Sequence, residues 1–372
     1  MNFHKTLKAL VVNGLGVFSL LISLQINGQI CTPANTPSYA WPNHQIWFFG
    51  NGVIGDFTDA TPTFTQLPVL DQYDPPTSYE GTATVSNEKG ELIWATNGRR
   101  LWTTDGTMVH DGVTSGFTTG NEGAKVTGSA VQGVLVVRHN LNPNVYHVFC
   151  TDDVIDDQDP TKDGLDHFTV DPKGAILSGP TSIQVGRTFE GLTATMHGNG
   201  VDIWVMAQDF TSGNYNAYLI DCGGLNLGES ELNQDLGISF EGHTSWTRGA
   251  LEFSWDGSKM AQGHPTFWPQ GDQEVSLYNF NNNTGLLSDE VHFSDDQLPH
   301  DNIYDIEFTA DNSKLYFTNR DAQVGYFDIS SGNANTMKNS KTIIKTLTTH
   351  SNGSESGIET AANGKIYINS GR

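Results

Sequence analysis

The chain has 372 residues, 37% of them hydrophobic and 40 of them glycine, and its 42 acidic against 19 basic side chains give a formal charge of −23. Such an acidic surface repels phosphate backbones and anionic lipid, which argues against nucleic acid and membrane surfaces as partners, while leaving divalent cations attracted. Modest hydrophobicity with abundant glycine suits many short strands joined by tight turns, and no helical periodicity continues beyond the first thirty residues.

Residues 1–29 read as a secretory leader. Lys5 and Lys8 give the positive start, Ala9 to Ile26 the apolar segment, and Asn27-Gly28-Gln29 a small-residue cleavage neighbourhood. The clean apolar run is short for a bilayer span, so no membrane insertion is expected once the leader is cleaved. Ile30 stands where a small residue would precede a lipidated Cys31. The expected location is therefore extracellular or at the outer-membrane surface. Residues 30–45, rich in Pro, Ser, Thr and Asn, read as a linker, and 46–372 as the folded domain.

The domain opens on Ile46-Trp47-Phe48-Phe49, followed by Gly50, Gly52 and Gly55 in a G-x-G-x-x-G spacing. A dinucleotide site needs the last glycine to open a helix. Asp56-Phe57-Thr58-Asp59-Ala60-Thr61-Pro62 is no helix, so turn glycines explain the match.

From there one design recurs. Alternating apolar runs flank a short polar turn at Asn87-Glu88-Lys89-Gly90, Asn142-Pro143-Asn144, Asn199-Gly200, Asp256-Gly257, Asp311-Asn312 and Asn363-Gly364. Asn, Asp and Gly tolerate the backbone angles of a hairpin turn, and the alternation buries one face of each strand. The turns centre near positions 90, 143, 200, 257, 312 and 364, so the step is 52–57 residues throughout. Third strands follow at Ala217–Ile220, Ser276–Phe280 and Gly325–Asp328. One hairpin cannot bury its own apolar face, and an array of three- or four-stranded units near fifty residues each has the spacing of propeller blades. The expectation is an all-β propeller of six to seven blades. Its last blade is expected to be incomplete at the C-terminus, with the strand at 46–49 available to a closing blade.

Several ordered segments resemble exported propeller domains of Bacteroidetes surface proteins: Trp47-Phe48-Phe49-Gly50 with Asp56-Phe57, Glu80-Gly81-Thr82-Ala83, Ser129-Ala130-Val131-Gln132, Leu192 to Gly200, and Glu307-Phe308 through Tyr316. In that family the propeller usually precedes PKD modules and a C-terminal sorting domain for type IX secretion, often labelled gliding-motility-associated. The resemblance spans about 46–372 and implies a cell-surface or secreted module. This sequence departs from the pattern in carrying neither PKD modules nor a sorting domain.

Candidate chemistry is sparse. Glu252, Glu307 and Glu359 hold the same place in successive units and can form a carboxylate ring. The structural alternative is that each accepts backbone N–H bonds where its blade begins. Trp246, Phe267 and Trp268 can stack on sugar rings, although aromatics in such arrays more often pack between blades. The acidic stretch 151–166 contains Asp157, Asp159 and Asp163; Asp159-x-Thr161-x-Asp163-Gly164 mimics the first half of a calcium loop, but Val170 stands at the closing twelfth position. Calcium is thus the one cofactor considered. No H-x-H or H-E-x-x-H spacing occurs; His197, His243 and His264 fall near unit starts and are the candidates for a central channel, although a histidine satisfied within a turn is the commoner case for each. No nucleophile elbow or Cys–His constellation is evident. Of the cysteines, Cys150 and Cys222 each follow a strand-like run and could bridge neighbouring units. The leading expectation is a non-enzymatic adhesion module for an extracellular protein or glycan. The alternative is a hydrolase or lyase with a metal or carboxylate site in the channel.

Overall fold

A computed structural model describes residues 46–48, 53–66, 81–111, 132–151, 164–234, 249–264, 275–293, 303–347 and 357–368, less positions 60, 88, 99, 187, 226, 228–230, 320–321 and 362–363. The described residues form an all-β propeller. Seven sheets follow one another along the chain, each of antiparallel strands that pair in sequence order, with one exception in the fourth.

The first sheet is β1 (Ile46–Phe48), β2 (Val53–Asp56) and β3 (Thr63–Gln66). The second is β4 (Ala83–Ser86), β5 (Leu92–Thr96), β6 (Arg100–Thr103) and β7 (Met108–Asp111). The third is β8 (Val134–Arg138), β9 (Tyr146–Thr151), β10 (Gly164–Val170) and β11 (Ile176–Val185). The fourth contains β12 (Thr193–Met196), β13 (Ile203–Gln208) and β14 (Tyr215–Asp221), with β15 (Gly224–Leu225) and β16 (Glu231–Gln234) both on β14. The fifth is β17 (Leu251–Phe253), β18 (Lys259–Gly263), β19 (Val275–Asn281) and β20 (Leu286–Phe293). The sixth is β21 (Ile303–Phe308), β22 (Lys314–Asn319), β23 (Gln323–Asp328) and β24 (Thr342–Thr346), with the short helix α1 (Ala334–Asn339) between its last two strands. The seventh holds β25 (Ile358–Thr360) and β26 (Ile366–Ile368).

The first strand of each sheet meets the first strand of the next, from β1 through β4, β8, β12, β17 and β21 to β25. These strands therefore form the innermost ring. The apolar cores lie between successive sheets. Trp94, Leu101 and Val85 of the second sheet pack on Tyr146, Val148 and Phe168 of the third, and Trp204, Met206 and Tyr215 of the fourth pack on Phe253, Met260 and Phe280 of the fifth. Burial on both faces of each sheet is what stabilises units that could not stand alone.

The ring meets itself through aromatics. Tyr367 on β26 lies edge-on to Trp47 at 5.9 Å and to Phe57 at 4.6 Å between ring centroids. The strand at 46–48 does not complete the last sheet. Among the described residues it pairs with β2 in register Ile46↔Asp56 and opens a sheet of its own. Val53–Asp56 is a strand that contains Gly55, the last glycine of the spacing, so that glycine opens no helix.

The turns between first and second strands share one chemistry. In the fifth sheet the Asp256 carboxylate accepts Ser254 Oγ–H (2.8 Å), Ser258 N–H (3.0 Å) and Ser258 Oγ–H (2.7 Å). In the sixth the Asp311 carboxylate does the same with Thr309, Ser313 N–H and the Ser313 hydroxyl. Gly257 sits at φ +63°, and a Cβ there would stand 2.5 Å from Thr195 Oγ1 of the preceding sheet. The matching position in the next sheet is Asn312 at φ 56°, a residue that tolerates this conformation.

Cys150 is a free, buried thiol and Cys222 is in a disulfide, so the two do not bridge. The reason is direction: Cys150 points toward the second sheet, packed with Trp94 and Leu101, whereas Cys222 belongs to the fourth sheet on the other side.

Candidate functional site

Three innermost strands bring carboxyl groups together. On β21 the buried residues Ile306 and Phe308 face the fifth sheet, which turns Asp305 and Glu307 toward the seventh. Asp305 Oδ2 accepts the Ile358 N–H at 2.8 Å and its Oδ1 accepts the Ile306 N–H at 2.9 Å. Glu307 Oε2 accepts the Thr360 N–H at 3.1 Å. The sixth and seventh sheets are thus joined by carboxyl groups in place of a ladder of backbone bonds.

Glu252 and Glu359 complete the group, and each of them feels the charge of Glu307 and Asp305. By surface area Glu359 is exposed and Glu252 half-buried, yet both stand deep among protein atoms. That combination fits side chains lining a narrow internal channel, where a water can touch the group but bulk solvent does not screen it. Burial raises Asp305 to about 7, against the pull of its two backbone N–H bonds. Burial likewise raises Glu307 to about 8, opposed by the Thr360 N–H and reinforced by Asp305. Glu252 and Glu359 lie well above the ordinary carboxyl range, first from burial and then from their acidic neighbours. Around neutral pH the channel therefore holds carboxylic acids as well as carboxylates, which lets it both donate and accept hydrogen bonds.

One end of this channel is crossed by Gln132, a φ +52° residue just ahead of β8. Its Oε1 accepts the Leu251 N–H at 2.9 Å and its Nε2 donates to Asp305 Oδ1 at 3.4 Å, tying the third sheet to the fifth and sixth. At the other end stands Trp255, in the turn after β17. It is 56% exposed, and its side chain hydrogen-bonds Glu307 on the neighbouring sheet. An exposed indole beside the Glu307 carboxyl group offers a flat apolar face and a polar edge in one place.

The three repeated glutamates thus come together, and Glu307 accepts a backbone N–H from the next sheet, that of Thr360. Trp246, Phe267, Trp268, His243, Asp157, Asp159 and Asp163 lie outside the described residues. Among the described residues no group of three or more His, Cys, Asp or Glu is arranged to hold a metal ion. His197 and His264 follow the structural reading and not the channel one. His197 sits in the turn before β13 and its Nε2 pairs with the Asn283 carbonyl of the fifth sheet, 3.1 Å away. His264 is buried beside the third strand of its sheet, with Nε2 2.6 Å from Ser276 Oγ. Both point away from the innermost strands, since a residue near a unit's start in sequence need not lie on the strand that faces the axis.

Sequence reasoning missed Asp305, Gln132 and Trp255. Asp305 had a signal, since it lies two positions before Glu307 and so on the same face of β21. Gln132 closes the segment Ser129–Gln132 noted above, but its role had no local signal, because its partners are 119 and 173 residues away.

Fold and site together define an all-β propeller whose innermost strands carry a cluster of carboxyl groups. No family model and no curated protein matches the chain. Among solved structures it is similar to Kuenenia stuttgartiensis hydrazine synthase, at 10% identity over 92% of this chain and 98% of that one with a TM-score of 0.43. It is similar also to Kluyveromyces lactis Hsv2, at 9% identity over 88% and 87% with a TM-score of 0.45. A third is an auxiliary nutrient binding protein from Bacteroides thetaiotaomicron, at 11% identity over 78% and 67% with a TM-score of 0.41. Likeness at this level carries no ligand from those proteins to this chain.

Proposed function

We propose that the protein is a non-enzymatic, exported binding module that holds an extracellular glycan or protein ligand at the Trp255 end of its channel. The observation that carries this reading is Trp255 itself, a large aromatic left 56% exposed while its side chain is held by Glu307. Stacking on an indole face contributes about 1 kcal/mol beyond area burial, and the neighbouring carboxyl groups supply both donors and acceptors for hydroxyls or amides. The leader-like residues 1–29 support export, and the resemblance to Bacteroidetes surface propellers supports a place at the cell surface, with PKD modules and type IX sorting as the wider setting. The acidic surface supports a ligand other than nucleic acid or anionic lipid.

Trp255→Ala is the test. Wild type screened on a glycan array and against extracellular matrix proteins should give at least one ligand, and the variant should bind it at least about tenfold more weakly with an unchanged melting temperature, as expected for an exposed side chain. A ligand bound equally well by both proteins would remove the site from Trp255.

A further inference from the structure

Trp255 and Glu307 belong to different sheets, and the contact between them sets a donor–acceptor count that one proton changes. Trp255 follows β17 in a turn whose backbone is fixed by bonds from Ser254, Asp256 and Ser258, so its side chain is the part that can reorient. The indole is 56% exposed and carries one polar group, the Nε1–H donor. Glu307 on β21 is 3% exposed. Its carboxyl group accepts that indole N–H and, through Oε2, the Thr360 N–H at 3.1 Å. Thr360 Oγ1 lies against the same carboxyl group, buried and without a hydrogen bond of ordinary geometry among the described residues.

As a carboxylate, Glu307 accepts from both donors at once. As a carboxylic acid it keeps one strong acceptor, the carbonyl oxygen, while its other oxygen becomes a donor that needs an acceptor. Thr360 serves both halves of that second arrangement. Its N–H is fixed in β25 and holds the carbonyl oxygen, and its Oγ1 is in place to accept the new O–H. The indole N–H is the bond left over, and its side chain is the one that can turn to water.

We propose that Glu307 is a positioning residue for Trp255 and a pH switch on the binding face: ionised, it holds the indole in one orientation, and protonated, it releases it. The switch rests on the Trp255 ligand site proposed above and adds its regulation. A ligand meets an ordered surface on a held indole but must itself order a released one, so binding weakens as pH falls. Burial supports a switch near neutrality, since it raises Glu307 to about 8 against the Thr360 N–H, with Asp305 adding to the rise and Trp255 opposing it. The groups facing Glu307 among the described residues are Asp305 on its own strand, Glu252 on β17, Glu359 on β25 and its register partner Tyr316 on β22. Glu252 and Glu359 are themselves raised by burial and then by Glu307, so no cation stands among these four. Lys314, two residues before Tyr316, has its Nζ 4.3 Å from the ring centroid of Tyr326.

The experiment is NMR of the intact protein without ligand from about pH 5 to about pH 10, a span that starts above the ordinary carboxyl range. It reads the indole ¹⁵N–¹H signal of Trp255, identified by its loss in Trp255→Phe, and the side-chain carboxyl ¹³C of Glu307. In wild type the two should change together with one midpoint. Trp255→Phe keeps an aromatic ring and removes the donor, so the Glu307 midpoint should rise by about one pH unit, the order expected for a hydrogen bond to a charged group. Glu307→Gln should hold the indole signal at its low-pH position throughout. A wild-type indole that ignores the Glu307 titration, or a midpoint that stays put in Trp255→Phe, overturns the switch even where the glutamine variant fails to fold. A folded Glu307→Gln protein whose indole still titrates overturns it equally. No ligand enters this test, so its failure leaves the Trp255→Ala binding result standing, and a ligand indifferent to Trp255 removes the site while leaving the switch.

Discussion

The amide of Asn312 donates to the Asp256 carboxylate at 2.8 Å, joining equivalent turns of two successive sheets 56 residues apart in the chain. The bond depends on the turn that presents it. Asn312 stands at φ 56°, where its side chain can reach back, while Asp256 already gathers both neighbouring serines. These donors hold Asp256 down to about 2 against a desolvation cost of burial. Because the folded state lowers this carboxyl, its contribution is complete above the ordinary value near 4 and is lost as pH falls through about 2. Asp256 is largely exposed, so screening cuts the figure to the order of 1 kcal/mol. Asp256→Ala should lower the denaturation midpoint at pH 7 by a comparable amount, and the gap between variant and wild type should close near pH 2. A gap that persists there would show that packing, not charge, explains the loss.

Ring closure rests on Tyr367 against Trp47 and Phe57. Removing the ring leaves two large aromatics facing a void, and Tyr367→Ala should cost about 2 kcal/mol, less than for a fully enclosed aromatic because Tyr367 is half-buried. The loss should be local. Hydrogen exchange is expected to quicken in 46–48, 53–56 and 366–368, where the first and last sheets meet, and to hold at Trp204 and Phe253 between the fourth and fifth. Uniform acceleration throughout would mean that the first and last sheets do not meet as described.

The channel carboxyls give the opposite pH signature to Asp256. Asp305 and Glu307 are raised to about 7 and about 8 by burial, so the folded state keeps protons that the unfolded chain releases. Their part in stability is therefore most favourable below about pH 4 and falls as pH climbs through the folded values, reaching its floor above about pH 8. Glu307→Gln mimics the protonated acid and keeps an acceptor for the Thr360 N–H. It should flatten the decline in melting temperature between pH 5 and pH 9 and leave the protein more stable than wild type at the alkaline end. A variant that declines as steeply as wild type would show that Glu307 is already ionised.

The repeat was legible because each sheet begins with the same hairpin, and hairpin turns announce themselves locally through Asn, Asp and Gly. Glu252, Glu307 and Glu359 were legible for the same reason, since equal positions in equal units land on the same ring. What defeated the sequence was contact between units. Gln132 bridges three sheets through partners 119 and 173 residues away, which the local segment Ser129–Gln132 does not reveal. The thiol of Cys150 follows an apolar run as Cys222 does, but alternation along β9 turns it toward Trp94 and away from the fourth sheet. His264 sits at the end of a second strand, so its side chain meets Ser276 and not the axis.

A last consequence follows from three histidines between the third and fourth sheets. His147 stacks on His139 at 5.5 Å and on His167 at 5.1 Å, and its Nδ1 lies 2.9 Å from His167 Nε2. One hydrogen bond between two imidazoles needs one N–H and one lone pair, so both cannot be charged together. Burial holds His147 down to about 3, with His167 and His139 adding repulsion, and holds His167 down to about 4. His139 is also lowered by burial, offset in part by Asp221 and Asp202. With folded values below the unfolded 6.5, this group costs nothing above about pH 6.5, and the unfolded chain gains protons that the folded one refuses as pH falls toward 4. His147→Phe keeps the flat ring but strands His167 Nε2, so it should cost about 1–2 kcal/mol at pH 7. Urea denaturation at pH 7 and pH 4.5 should nevertheless show a smaller drop in the variant than in wild type. An equal drop would assign the acid limb to groups other than His147.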